Sequence, residues 1–211
     1  MFQPLSGLRV VDLTQILAGP YSTYQLALMG AEVIKVEIPD EGDATRTGMG
    51  DPALGGDKMG LSYVTQGSNK RSITIDLKKP EGLTLIKRLI ATADIFVQNI
   101  RPGAAGRLGL SFSDVKAIKP GIIYCSISAY GQDGPIGDRS AYDHVVQGMS
   151  GITMTTGTPD TVPNKVGAPY VDYATGLNAA FAIVSALHEA RRTGQAVELD
   201  VAMLDTSMLL M

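Results

Sequence analysis

Asp172 stands just ahead of the most sharply marked helix in the chain, in a loop set off by Gly167 and Pro169. An acid in that place has two possible roles. The first turn of a helix leaves backbone N–H groups without partners, and an Asp commonly caps them, contributing about 1 kcal/mol. The same converging N–H groups stabilise an anionic centre, so the carboxylate could equally act as a nucleophile or a base. Spacing alone leaves both roles open.

Basic and amide residues gather where strands give way to loops. Asn69-Lys70-Arg71 precedes one apolar run and Lys78-Lys79 follows it. Gln98-Asn99-Ile100-Arg101-Pro102-Gly103 follows the next, with Arg107 four residues on, and Arg139 with Tyr142-Asp143 closes a further turn. Arg and Lys at such ends suit phosphates, although any one of them could equally be a solvated charge beside a turn. Other chemistries lack their residues. The first turn, Thr14 to Pro20, has a single glycine and no G-x-G-x-x-G, so Glu37 at the end of the second strand is a poor case for dinucleotide binding. There is no G-K-[ST] phosphate loop and no G-x-S-x-G elbow. The two histidines, His144 and His188, supply no cluster for zinc, so no metal site is expected.

The elements that must position these residues alternate. Gly7–Leu13 reads as a buried strand, Tyr21–Met29 as a helix closed by Gly30, and Ala31–Glu37 as a second strand, a βαβ unit with parallel strands. Arg71–Leu77, Asp94–Gln98 and Gly121–Ser128 read as further strands. Pro80–Ala91 and Ser113–Ile118 read as helices between them. This is the pattern of an α/β fold, a doubly wound, Rossmann-like parallel sheet with flanking helices. Asp40–Ser68 reads as a long glycine-rich loop, of a length that is usually functional. In the helix after Asp172, Leu177, Phe181, Val184 and Leu187 recur at helical spacing and predict the stripe facing the core. Arg191, Arg192 and Gly194 mark its end.

Composition sets the class. The 211 residues, 45% hydrophobic and 18% charged, suffice for one substantial core. A net charge of −3 argues against a nucleic-acid or anionic-membrane surface. Cys125, the one cysteine, lies in an apolar run and reads as a buried strand residue in a reducing compartment. With no long apolar span or signal-like start, a cytoplasmic location is expected. Val201–Met211 stops in mid-pattern, with a helix opening near Asp205, and reads as part of a longer protein.

Seven segments together carry a resemblance. They are Val10–Pro20 (VVDLTQILAGP), Gly30–Glu37 (GAEVIKVE), Asn69–Lys78 (NKRSITIDLK), Ala93–Gly103 (ADIFVQNIRPG), Ser128–Pro135 (SAYGQDGP), Arg139–Asp143 (RSAYD), and the Asp172 loop with His188–Met203. In order and over nearly the whole chain, they resemble the class III CoA-transferases, the CaiB–BaiF family that includes formyl-CoA and carnitine CoA-transferases. The resemblance implies that residues 1–211 are the N-terminal portion of a large CoA-binding domain. A small domain and a C-terminal return segment are absent from them. It also implies an interlocked homodimer for the whole protein, with coenzyme A or acyl-CoA as substrate and no permanently bound cofactor. Asp172, thirty residues after Tyr142, falls on the family's catalytic aspartate. There it would attack a thioester carbonyl, forming first an acyl anhydride and then an aspartyl-CoA thioester. CoA contacts carry over to Ile16, Ala18, Ile75, Lys78, Asn99, Ile100, Arg107 and Leu108. In that transfer Lys78 and Arg107 meet phosphates, while Ile100 and Leu108 pack on adenine or pantetheine. Gln15, Leu17 and Tyr142 would line the substrate pocket. Leu17 replaces a glutamine of formyl-CoA transferase and Ile38 replaces an arginine, so formyl/oxalate specificity does not carry over. α-Methylacyl-CoA racemases look similar here but place a histidine where this chain has Tyr142. A non-catalytic CoA-binding fragment is the remaining alternative.

Overall fold

A computed structural model describes residues 2–48 and 58–211. Six strands, β1 (Arg9–Leu13), β2 (Glu32–Glu37), β3 (Lys70–Thr74), β4 (Ile95–Gln98), β5 (Ile123–Ser128) and β6 (Val197–Ala202), form one sheet. Their order is β3-β2-β1-β4-β5-β6 and every neighbouring pair is parallel. The helices are α1 (Ala18–Leu28), α2 (Thr45–Gly48), α3 (Leu61–Gly67), α4 (Pro80–Ile90) and α5 (Ala104–Arg107). They continue with α6 (Phe112–Ile118), α7 (Asp143–Ser150), α8 (Tyr170–Thr193) and α9 (Met203–Leu209).

A parallel sheet needs cover on both faces, and the period of two along each strand provides it. Val10, Ile95, Val97, Ile123, Cys125 and Ile127 point to one side, where Leu26 of α1 and Ala179, Ala180 and Ile183 of α8 pack on them. Val11, Phe96, Ile122 and Tyr124 point to the other side, against Ile86 and Ile90 of α4 and Val115 of α6. The doubly wound fold is therefore as the alternation predicts, and Cys125 is fully buried in β5.

Several local expectations need correction. The stretch 40–68 is no plain loop: it holds α2 and α3, and its residues 49–57 lie outside those described. Helix α1 begins at Ala18, three residues earlier than predicted, which puts Leu17 at its N-cap. Helices α5 and α7 and strand β6 were not predicted. Most instructive is α8. Phe181 is 73% exposed and Leu177 50%, and Val184 is exposed too, while Leu187 alone of the predicted stripe is buried. The face on the core is Val171, Thr175, Gly176, Ala179, Ala180, Ile183 and Ala186. Small side chains let α8 lie close to α1. A Cβ on Gly176 would come within 2.7 Å of the Ala18 carbonyl oxygen, and Tyr21 meets Tyr173 edge to face at 4.7 Å.

Candidate active site

In this strand order the chain runs outward in opposite directions from β1 and β4, and the loops leaving their carboxyl ends separate to open a crevice. A cleft of about 160 Å³ lies there. Gln15, Ile16, Leu17 and Ala18 line it from the loop after β1, and Asn99, Ile100, Arg101 and Pro102 from the loop after β4. Beyond these, Arg139, Tyr142 and Asp172 complete its polar rim, with Ile127, Ala129 and Met203 at its apolar side. The structure thus brings together eight of the twelve predicted site residues: Gln15, Ile16, Leu17, Ala18, Asn99, Ile100, Tyr142 and Asp172. Ile75, Lys78, Arg107 and Leu108 do not line this cleft. Ile75 is buried in the core behind α4, Lys78 and Arg107 are exposed, and Leu108 packs against the same core cluster.

Asp172 is not a cap. Pro169 holds the N-cap position with no side-chain hydrogen bond, and Asp172 is the third residue of α8. The capping carboxylate comes from another helix. Asp143 Oδ2 of α7 accepts from Val171 N at 2.8 Å and Asp172 N at 3.1 Å. Its Oδ1 accepts from the Gln147 side chain, and Gln147 Oε1 in turn accepts from Val166 N at 2.8 Å. With its backbone donor satisfied by Asp143, Asp172 is left to present its carboxylate to the cleft. Burial, and then the nearby Asp143 charge, push the Asp172 carboxyl up to about 7, while the Ala18 backbone N–H facing it pulls the other way. Such a carboxyl is half ionised near neutrality, a property suited to a reacting group.

The loop after β1 is held from all sides. Gln15 and Asn99 exchange two hydrogen bonds, Gln15 N to Asn99 Oδ1 at 2.9 Å and Asn99 Nδ2 to Gln15 O at 2.7 Å. The Gln66 side-chain amide of α3 lies 3.3 Å from the Ile16 and Leu17 carbonyl oxygens. Ile16 has φ of 73°, a left-handed conformation that a β-branched residue adopts at a cost of about 1–3 kcal/mol. Beneath the loop, Lys35 Nζ contacts Asp43 Oδ2 at 2.8 Å and Thr14 O at 2.7 Å. Lys70 Nζ lies 3.0 Å from Asp12 Oδ2. Burial would raise Asp12, but Lys70 and then Lys35 overcome it and hold its carboxyl at about 2. This ionic floor escaped the reading of the sequence. Asp12 and Lys35 sit singly inside strands with no local pattern to pair them, and Lys70 reads with Asn69 and Arg71 as part of a basic group suited to phosphate.

Over residues 5–211 the chain matches CoA-transferase family III. The chain belongs to that family. Its relatives include the succinate–glutarate CoA-transferase of Agrobacterium fabrum, 43% identical over 96% of this chain and 51% of that protein. The human succinyl-CoA:glutarate CoA-transferase is 42% identical over 98% of this chain and 46% of the relative. The fold agrees with the crystal structure of a CaiB/BaiF family protein from Brucella suis, with TM-score 0.93, 41% identity, all of this chain and 56% of that one. This family III chain spans about half the length of the curated relatives it matches.

Proposed function

We propose that the protein of which these residues form the CoA-binding part moves CoA from an acyl-CoA thioester to a carboxylic acid, with Asp172 as the nucleophile. The observation that carries this is Asp172 itself, freed from capping by Asp143, at the rim of the switch-point cleft and half ionised at neutral pH. Its Oδ attacks the thioester carbonyl carbon, the C–S bond breaks, and CoA leaves as thiolate. The thiolate then attacks the aspartyl carbonyl of the mixed anhydride, which releases the donor acid and leaves an aspartyl thioester. The acceptor carboxylate repeats the sequence in reverse, and Asp172 emerges as carboxylate with no net proton moved. The Ala18 backbone N–H, which faces the Asp172 carboxyl, would serve as a donor to the developing oxyanion.

Arg101 and Arg139 on the cleft suit an acid substrate, and bidentate pairing would favour one with a second carboxylate. Support comes from relatives named for succinate, glutarate and, in Acetobacter aceti, oxalate. Of the four predicted contacts outside the cleft, the exposed Lys78 and Arg107 would serve the distal, phosphate-bearing parts of CoA, while Ile75 and Leu108 belong to the core beneath them. We place the protein in the cytoplasm as a homodimer, in keeping with an unpaired, buried Cys125 and the exposed apolar face of α8. A racemase gains nothing from the geometry. His144 stacks on the Tyr142 ring at 6.4 Å and does not line the cleft.

The test is intact mass spectrometry of the full-length protein incubated with succinyl-, glutaryl- and acetyl-CoA, with hydroxylamine as trap. A hydroxamate at Asp172, absent from Asp172→Ala, is expected. CoA binding without an adduct, accompanied by deuterium entering the α-position of a 2-methylacyl-CoA, would sink the transferase.

A further inference from the structure

We propose that Lys35 and Asp43 are a positioning pair for Asp172, acting through the left-handed turn at Ile16. The proposal rests on the reading of Asp172 as the reacting group. Both side chains are 1% exposed, so the pair meets no ligand and acts only through what it holds. It holds the backbone of the cleft loop at two points. Asp43 Oδ1 accepts from Ile16 N at 3.3 Å, and Lys35 Nζ donates to Thr14 O at 2.7 Å. Between those points lies the one turn that Ile16 would not choose for itself. Thr45 N and Oγ1 bond the same Asp43 oxygen, at 2.9 and 2.8 Å, and fix its direction.

The turn decides where α1 begins. Two residues after Ile16, Ala18 opens the helix, and its carbonyl lies against Gly176. Gly176 is one helical turn beyond Asp172, on the same face of α8. Ala18 therefore stands opposite Asp172, and its N–H is the donor that opposes the rise of the Asp172 carboxyl. The charged and titratable groups facing that carboxyl come from several elements. Asp143 of α7 lies beside it, and Arg101, Arg139 and Tyr142 share the cleft with it from the surrounding loops. Of these, Asp143 is the one whose charge raises Asp172. The Lys35–Asp43 pair is neutral as a unit, so removing both members tests position rather than field.

The experiment follows the Asp172 carboxyl by NMR in full-length protein carrying 13C-carboxyl aspartate, with Asp172→Asn to assign the signal. In Lys35→Met/Asp43→Leu, which leaves neither charge buried alone, the turn relaxes, Ala18 withdraws and the titration point rises. The ratio of carboxylate to acid at pH 7 should fall by about threefold. Adding Ile16→Gly, which occupies the left-handed region without strain, should return it toward the parent value. A folded double variant with an unmoved titration point, or no recovery on adding Ile16→Gly, overturns the proposal. Should the double variant not fold, Asn99→Ala frees the same loop from its other side. A rise there supports the positioning role and an unmoved point overturns it. No turnover is needed for this readout. A protein that titrates as stated but forms no acyl adduct would refute the transferase while leaving the positioning intact. An adduct with no titration change would do the reverse.

Discussion

Asp172 carries an opposition between stability and chemistry. Its carboxyl sits near 7 in the fold against about 3.9 in an unfolded chain. Below pH 4 both states are protonated and the site costs nothing. As pH rises the unfolded chain loses its proton first, so stability falls between 4 and 7 and levels off above 7. Asp172→Asn should therefore gain on the parent as pH goes from 4 to 8, by roughly 1–3 kcal/mol at the upper end after allowing for partial exposure. Denaturation at pH 5 and pH 8 checks this, and an equal difference at both values would mean an ordinary carboxyl. Asp143→Asn removes the second cause of the rise while keeping an acceptor oxygen for the Val171 and Asp172 amides. The pH profile of acyl-adduct formation should move to lower pH, with the same plateau. A plateau lost at all pH values would instead mean that the first turn of α8 had come apart.

The close approach of α1 and α8 is set by what is missing at Gly176. Gly176→Ala would set a Cβ 2.7 Å from the Ala18 carbonyl oxygen, backbone against side chain with nothing free to rotate away. We expect it to cost about 1–3 kcal/mol in urea denaturation and to reduce adduct formation at Asp172 more than CoA binding. A variant as active and stable as the parent would show that the helices can part freely. The same helix shows what the sequence concealed. Periodicity weights large side chains, so Leu177, Phe181 and Val184 pointed to a core face. The true contact is built from glycine and alanine, whose small apolar signal is easily outvoted. The strands, by contrast, were legible because a sheet covered on both faces makes them continuous apolar runs. Asp172 was visible from its loop, but the Asp143 that caps it lies 29 residues away and shares no local pattern with it.

At the scale of the molecule, the outward face of α8 joins other uncovered apolar residues. Met208 and Leu209 of α9 are 63% and 81% exposed beside Phe181 at 73%. Asn178 Nδ2 bonds Thr206 Oγ1 at 3.2 Å, tying the two helices into one surface. These 211 residues on their own should self-associate, and Leu177→Ser/Phe181→Ser should shift size-exclusion elution toward the monomer without lowering the melting temperature. A monomeric, well-folded parent would count against that face as a contact surface. Charge and composition could not reveal it, since scattered apolar residues are normal on any surface and only their adjacency in the fold makes a patch.

The seam between Ala18 and Gly176 has a mechanical meaning as well. Because the loop after β1 ends on the helix that touches α8, the wall of the cleft and the carboxylate that faces it meet across one close helix–helix contact. Any shift of α1 against α8 therefore changes the width of the cleft and the setting of the carboxylate in a single movement.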